Sequence, residues 1–217
     1  MVINLSSALY GELIQYIIDG DDAAVDAQTD ALLRTGQNPM SIIDQGLLAG
    51  MTQVGELFKE GEMFVPEVMM AAQAVTAALD KLKALISEED LPKMATIVIG
   101  TVKGDLHDIG KNLVAMMMEN SGFQVIDLGT DVAPEDFCQA VAVHGAAIVA
   151  MSALLTTTMP AMRETVDAIN QAGCRHEVKI IIGGAPVTAE YAQQIGADGY
   201  SEDAVRAVEL CKRLLNI

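Results

Sequence analysis

Up to about residue 90 the chain repeats its apolar positions every three to four residues, the period of helices with one buried face. Leu5, Leu9, Leu13, Tyr16 and Ile17 form the first such face, which closes near Gly20. A second, shorter helix is expected over residues 24–35, ended by Gly36. Asn38-Pro39 is a start signal, a capping side chain followed by proline at the first helical position. The helix it opens carries Ile42, Ile43, Leu47, Met51, Val54, Leu57 and Phe58, and Gly61 breaks it. Pro66 opens a fourth, with Met69, Ala72, Val75, Leu79, Leu82 and Ile86 on one side. Four amphipathic helices with short connections predict a small bundle. Residues 87–92, polar and ending in Pro92, read as a linker. From residue 93 the period changes. Short Val- and Ile-rich runs at 95–100, 124–128, 146–151 and 179–183 alternate with helical segments at 110–120, 134–144 and 160–172. A weaker fifth strand near 198–201 precedes a last helix over 203–215. That alternation predicts an α/β domain, a doubly wound, Rossmann-like (flavodoxin-like) parallel sheet of five strands. The expected division is 1–90 for the bundle and 91–217 for the sheet domain.

Composition narrows the partners. The net charge is −17. The first 90 residues hold 4 basic and 15 acidic side chains, a net of −11; the remainder holds 9 and 15, a net of −6. No basic face is offered to nucleic acid or to an anionic membrane, so neither is expected as a partner. No apolar run is long enough to span a bilayer. Met1-Val2-Ile3-Asn4 lacks the basic start of a signal peptide. Cys138, Cys174 and Cys211 form no closely spaced pair and are expected to be reduced. A cytoplasmic location is the simplest expectation.

The chemistry concentrates in Gly104-Asp105-Leu106-His107-Asp108-Ile109-Gly110, directly after the first strand. Ligands of open α/β sheets bind at such strand ends. A lone imidazole cannot hold a bare metal ion, which needs about four protein ligands. It can complete the coordination of a metal already held in a macrocycle. A carboxylate two residues before it would orient the ring through its second nitrogen. The glycine three residues after it would let a bulky ligand approach the backbone. A second hydroxyl-rich stretch, residues 151–158, follows the third strand, and Gly183-Gly184 ends the fourth. Neither a Gly-x-Gly-x-x-Gly fingerprint nor a P-loop is present, which disfavours a dinucleotide or nucleotide triphosphate. His144 and His176 read as a helix-end and a loop histidine.

Asp105, His107 and Gly110 resemble the cobalamin-binding signature of corrinoid proteins and of the cobalamin module of methionine synthase. The resemblance implies cobalamin or a related corrinoid as cofactor, bound base-off with His107 as axial cobalt ligand. It implies that Asp108 and Ile109 lie beside the corrin. It makes Ser152, Leu154 and Thr156 the lining of the slot for the displaced nucleotide tail, with Gly183 and Gly184 flanking its base. Thr158 stands where the family has the serine of a His–Asp–Ser relay; the hydroxyl is kept and a methyl is added. Gly129-Thr130-Asp131-Val132 also resembles the family but reads as structural; Gly199, Tyr200 and Ala204 are lesser candidates for the tail. Residues 50–67 resemble the helical cap of methyltransferase corrinoid proteins, which makes Phe64 and Val65, with Met69 beside them, the shield of the upper corrin face. The implied function is a methyl carrier of the methylamine or methanol type. Its partners would be a donor-specific methyltransferase, a second methyltransferase for a thiol or tetrahydrofolate acceptor, and a reductive activator. Three alternatives stay open: a cobalamin-dependent sensor or regulator, the small subunit of an adenosylcobalamin mutase, and a cofactor-free flavodoxin-type domain.

Overall fold

A computed structural model describes residues 5–86 and 94–217. The sequence-predicted linker, 87–92, lies outside them. The chain divides into two compact units, Met1–Pro92 with Asn120–Gly122, and Lys93–Glu119 with Phe123–Ile217.

The first unit is helical: α1 (Leu5–Ile18), α2 (Asp22–Arg34), α3 (Pro39–Ile42), α4 (Ala49–Glu60) and α5 (Val65–Lys83). Asp21 caps α2 through the Ala24 N–H (3.0 Å), and Asn38 caps α3 through the Met40 N–H (2.8 Å). The sequence predicts one helix from Pro39 to Phe58. Instead a π-helical turn, Ile43–Leu48, separates α3 from α4. Such a turn leaves the apolar period almost intact, so the pattern does not reveal it. It sits where backbones approach closely. A β-carbon on Gly46 would stand 2.7 Å from Leu13, and one on Gly50 would stand 2.7 Å from Ile17. Leu13, Ile17, Leu47 and Leu82 are fully buried there.

The second unit holds β1 (Thr96–Thr101), β2 (Gln124–Asp127), β3 (Ile148–Ser152), β4 (Lys179–Gly183) and β5 (Gly199–Ser201) in the order β2-β1-β3-β4-β5, all parallel. This is the predicted doubly wound sheet. Side chains alternate across it. Val98, Val149, Met151, Ile180 and Ile182 pack with Phe137, Met162 and Val166 of α7 (Pro134–His144) and α8 (Met159–Gln171). Ile97, Ile99, Ile148 and Ile181 belong to the opposite face, and α6 (Ile109–Glu119) pairs with α10 (Ala204–Leu215). A seven-residue helix, α9 (Ala189–Ile195), is absent from the sequence-based reading; Thr188 caps its start and Gly196 ends it in the left-handed conformation. Burial pushes the Cys211 thiol up to about 12, which keeps it protonated and inert.

The strand order reverses direction between β1 and β3. In open α/β sheets, ligands bind outside the carboxyl ends of the strands at such a switch point.

Candidate functional site

One row of the sheet register sets the floor of the site. Thr101 pairs with Ser152, Ser152 with Gly183, and Gly183 with Ser201. Three of the sequence-predicted loops therefore leave the sheet side by side. Thr101 and Ser152 share a hydroxyl–hydroxyl hydrogen bond of 2.8 Å. The Thr101 hydroxyl also lies 2.8 Å from the His107 carbonyl, tying the β1 loop down to its own strand.

Asp105 is the centre of the arrangement and is fully buried. Its Oδ1 accepts from the His107 ring at Nδ1 (2.7 Å) and from the His107 N–H (3.1 Å). Its Oδ2 accepts from the Leu154 N–H (2.8 Å), the Leu155 N–H (3.4 Å) and the Thr158 hydroxyl (2.7 Å). Burial pushes this carboxyl up, but the hydrogen bonds from Thr158, Leu154 and His107 more than offset it. They hold the group well below the usual carboxylate range. An ionised Asp105 can only accept, so a proton lies on His107 Nδ1, and in the neutral imidazole the lone pair is on Nε2. The histidine side chain is 51% exposed while its aspartate partner is wholly enclosed. A fixed ring with an available basic nitrogen is what an axial metal ligand requires. No group of three or more His, Cys, Asp or Glu side chains arranged for a metal ion occurs among the described residues.

Thr158 is buried, and its methyl takes a place beside Gly104, where a β-carbon would stand 3.6 Å from Cγ2. The added methyl is thus accommodated without moving the hydroxyl from Asp105. Leu154 acts through its backbone on Asp105 and leaves its side chain exposed. Thr156 is exposed in the same turn. Gly184 has φ of +126°, and a β-carbon there would meet the Ala153 carbonyl oxygen at 1.9 Å; only glycine fits. Gly183 is tight against the Ser201 carbonyl, 3.0 Å from its would-be β-carbon.

Two observations fit a large, partly apolar ligand on the His107 side. Leu106 and Ile109 are 74% and 82% exposed, and Leu154 and Leu155 are also exposed. Exposed large apolar side chains on the His107 loop and on the turn that bonds Asp105 fit a binding surface. Gly110 opens α6 at a helix-interior cost of about 1 kcal/mol, yet a β-carbon there would meet nothing within 4 Å. The protein's own packing gives no reason for that glycine; a ligand lying against the backbone does. Asp108 is exposed beside it. Phe64 and Val65, at the start of α5 in the helical unit, are 66% and 46% exposed, and the Phe64 N–H donates to Glu67 (2.7 Å). Met69 is half-buried and Met70 exposed.

The sequence reading missed two supports of this loop. Asp131, a non-glycine residue at φ +55°, accepts from the Gly104 N–H (2.7 Å) and donates its own N–H to the Asp105 carbonyl (2.9 Å). The Gly129–Val132 segment, read as merely structural, therefore braces the His107 loop. Thr101 is the second. An aspartate after a glycine just past a strand was the available signal for the first; Thr101 lies in an apolar strand and gives none.

Known proteins resemble this chain along most of its length. Residues 95–209 match the model of a B12 binding domain, and residues 9–83 match a second B12 binding domain model. Dimethylamine corrinoid protein 1 of Methanosarcina acetivorans is 44% identical over 200 residues, spanning 89% of this chain and 94% of that protein. A crystal structure of a cobalamin-binding protein from Desulfitobacterium hafniense aligns with TM-score 0.79 and 39% identity, covering 94% of this chain and 97% of that one. The methanol:cobalamin methyltransferase complex of Methanosarcina barkeri aligns with TM-score 0.86 and 31% identity, covering 96% of this chain and 80% of the matched one.

Proposed function

The chain belongs to the family of B12-binding corrinoid proteins, with cobalamin or a related corrinoid as its cofactor, and from that premise we propose that it is a methyl carrier. It takes a methyl group from a donor-specific methyltransferase and yields it to a second methyltransferase acting on a thiol or tetrahydrofolate. The observation that carries this reading is the enclosed Asp105 holding His107 by Nδ1 and leaving Nε2 available. When bound, the corrinoid supplies a cobalt that accepts and releases the methyl group.

The chain's own residues do the rest. His107 provides the lower nitrogen, base-off and His-on, and Asp105 keeps the ring in the tautomer this needs. Thr158 would let the His107–Asp105 pair take up a proton. Its hydroxyl has one proton but two acceptors in reach, Asp105 Oδ2 at 2.7 Å and the Leu155 carbonyl at 2.9 Å. With Asp105 ionised the hydroxyl proton points to Oδ2. With a proton on Asp105 the hydroxyl turns to Leu155, and its oxygen accepts instead. Either way no buried group is orphaned. Asp108, Ile109 and Gly110 offer the surface beside the corrin. Ser152, Leu154, Thr156, Gly183 and Gly184 line the slot for the nucleotide tail. Phe64 and Val65 shield the reactive face from water, a protection that reactive intermediates need. Residues 1–90 act as the cap domain and 91–217 as the cobalamin domain. A reductive activator restores the carrier after oxidation. The unpaired cysteines suit a reducing cytoplasm. No described helix is long and apolar enough to cross a membrane.

The test is the visible spectrum after reconstitution with hydroxocobalamin. The wild type is expected to retain corrinoid with an imidazole-type lower ligand, and His107→Ala to retain it with altered bands. A variant spectrum identical to wild type overturns the ligand role. Transfer of a labelled methyl group from loaded protein to a thiol, with a thiol methyltransferase added, tests the carrier role.

A further inference from the structure

Lys111 breaks three local rules at once. It sits in the first turn of α6, where the helix dipole disfavours a cation. Its side chain is 2% exposed, although lysines are seldom buried. It also interrupts the buried face that Ala115 and Met118 continue. Residues that break such rules mark strained or functional places.

The lysine sits where two chains of hydrogen bonds meet. Its ammonium donates to Asp127 Oδ2 at 2.5 Å and to Asn112 Oδ1 at 2.6 Å. On the first arm, Asp127 Oδ1 accepts the Gly129 N–H (2.8 Å), and the Gly129 carbonyl accepts the Thr101 N–H (2.9 Å). Thr101 in turn bonds the His107 carbonyl. On the second arm, Asn112 donates its side-chain amide to Asp108 Oδ2 (3.2 Å) and its N–H to the Asp108 carbonyl (2.7 Å). The arms end on His107 and on the residue after it. The C-terminal side of the segment carrying the imidazole is therefore tied by two routes to one buried cation.

We infer that Lys111 is a positioning residue for the His107 ring, acting through Asp127 and Asn112. The inference rests on His107 being the lower ligand. Asp105 fixes the rotation of the ring; Lys111 fixes where the loop holds it. Without the ammonium, Asp127 and Asn112 lose their common partner, and the first turn of α6 is no longer joined to the end of β2.

The test uses the full chain loaded with cobalamin and reduced by one electron to paramagnetic cobalt(II). Protein labelled with nitrogen-15 histidine distinguishes His107 from any nitrogen of the cofactor, because the splitting from the lower nitrogen falls from three lines to two. Lys111→Met preserves most of the buried volume. It is expected to retain corrinoid but to lower the ratio of imidazole-ligated to unligated cobalt about 10-fold, as for loss of an outer partner of a ligating histidine. Asp127→Asn, at a side chain 39% exposed, is expected to give a smaller shift in the same direction, and the double variant less than the product of the two. A role confined to folding would instead lower the melting temperature of the corrinoid-free protein and leave the ligated ratio of loaded molecules unchanged, which overturns the inference. Should Lys111→Met fail to fold, a wild-type ratio in Asp127→Asn overturns it equally. Absence of the histidine splitting in the wild type refutes the lower-ligand reading itself, a failure visible before any Lys111 variant is measured.

Discussion

The two units bury different kinds of side chain. In α1 to α5 the buried positions are almost all aliphatic or methionine, with Thr29 turned onto the Val25 carbonyl. The α/β unit buries Thr101 at the end of β1, Asp105 and Thr158 in the loops after β1 and β3, Lys111 in the first turn of α6, and Thr165, turned onto the Ala161 carbonyl within α8. Burying a charge is costly unless every lone pair finds a donor, and Asp105 has five. The helical unit is thus built for packing, and the polar interior of the other unit is built around one imidazole. Polar burial, more than the count of histidines, points to the working part of this molecule.

Substitutions that respect or ignore this contrast separate the units. The largest effect is expected from Asp105→Ala, which leaves five donor groups without this acceptor. It should destabilise the α/β unit by about 3–5 kcal/mol in urea unfolding and abolish the imidazole-type corrinoid spectrum. Leu13→Ala should cost about 3 kcal/mol by removing the side chain that fills the space over Gly46. Its loaded form should keep the wild-type lower-ligand spectrum; a changed spectrum would mean that the packing unit and the chemical unit are not separable in this way. Asp105→Asn probes the charge itself. The folded-state carboxyl lies below its unfolded value, so its stabilisation is complete above about pH 4 and is lost as pH falls through the folded value. Acid titration of unfolding free energy should therefore show the wild type and Asp105→Asn converging below about pH 4. The smallest effect belongs to Thr158. Thr158→Ser should be nearly neutral, whereas Thr158→Val should cost about 1 kcal/mol. Valine should also change the pH dependence of the visible spectrum of the cobalamin-loaded protein.

Much of this was legible in the residues themselves. The change of period near residue 93 predicted four of the strands to within a few residues, because Val- and Ile-rich runs between turn signals have few other readings. Asp105, His107 and Gly110 stood out through their spacing and the resemblance it carries, and the structure brings Ser152, Leu154, Thr158, Gly183 and Gly184 to the same sheet edge. What stayed hidden depends on distance along the chain. Thr101 meets Ser152 across 51 residues, and Lys111 meets Asp127 across 16. A lysine in a helix start reads as solvated until the partner strand is placed beside it. The π-turn was hidden for the opposite reason: lengthening the backbone hydrogen bonds by one residue over a single turn leaves the local run of apolar residues readable as helix.

The separation between the two halves of the site also sets an order of events during synthesis. Asp105 and His107 are made early, but the Leu154 N–H and the Thr158 hydroxyl that hold the carboxylate arrive 49 and 53 residues later. Until β3 has docked against β1, that carboxylate is an ordinary solvated acid and the imbalance between a free and a fixed imidazole does not exist. A nascent chain therefore has the ligand long before it has the socket. A chain truncated before residue 158 is expected to leave Asp105 without the Leu154, Leu155 and Thr158 donors and His107 without a fixed partner.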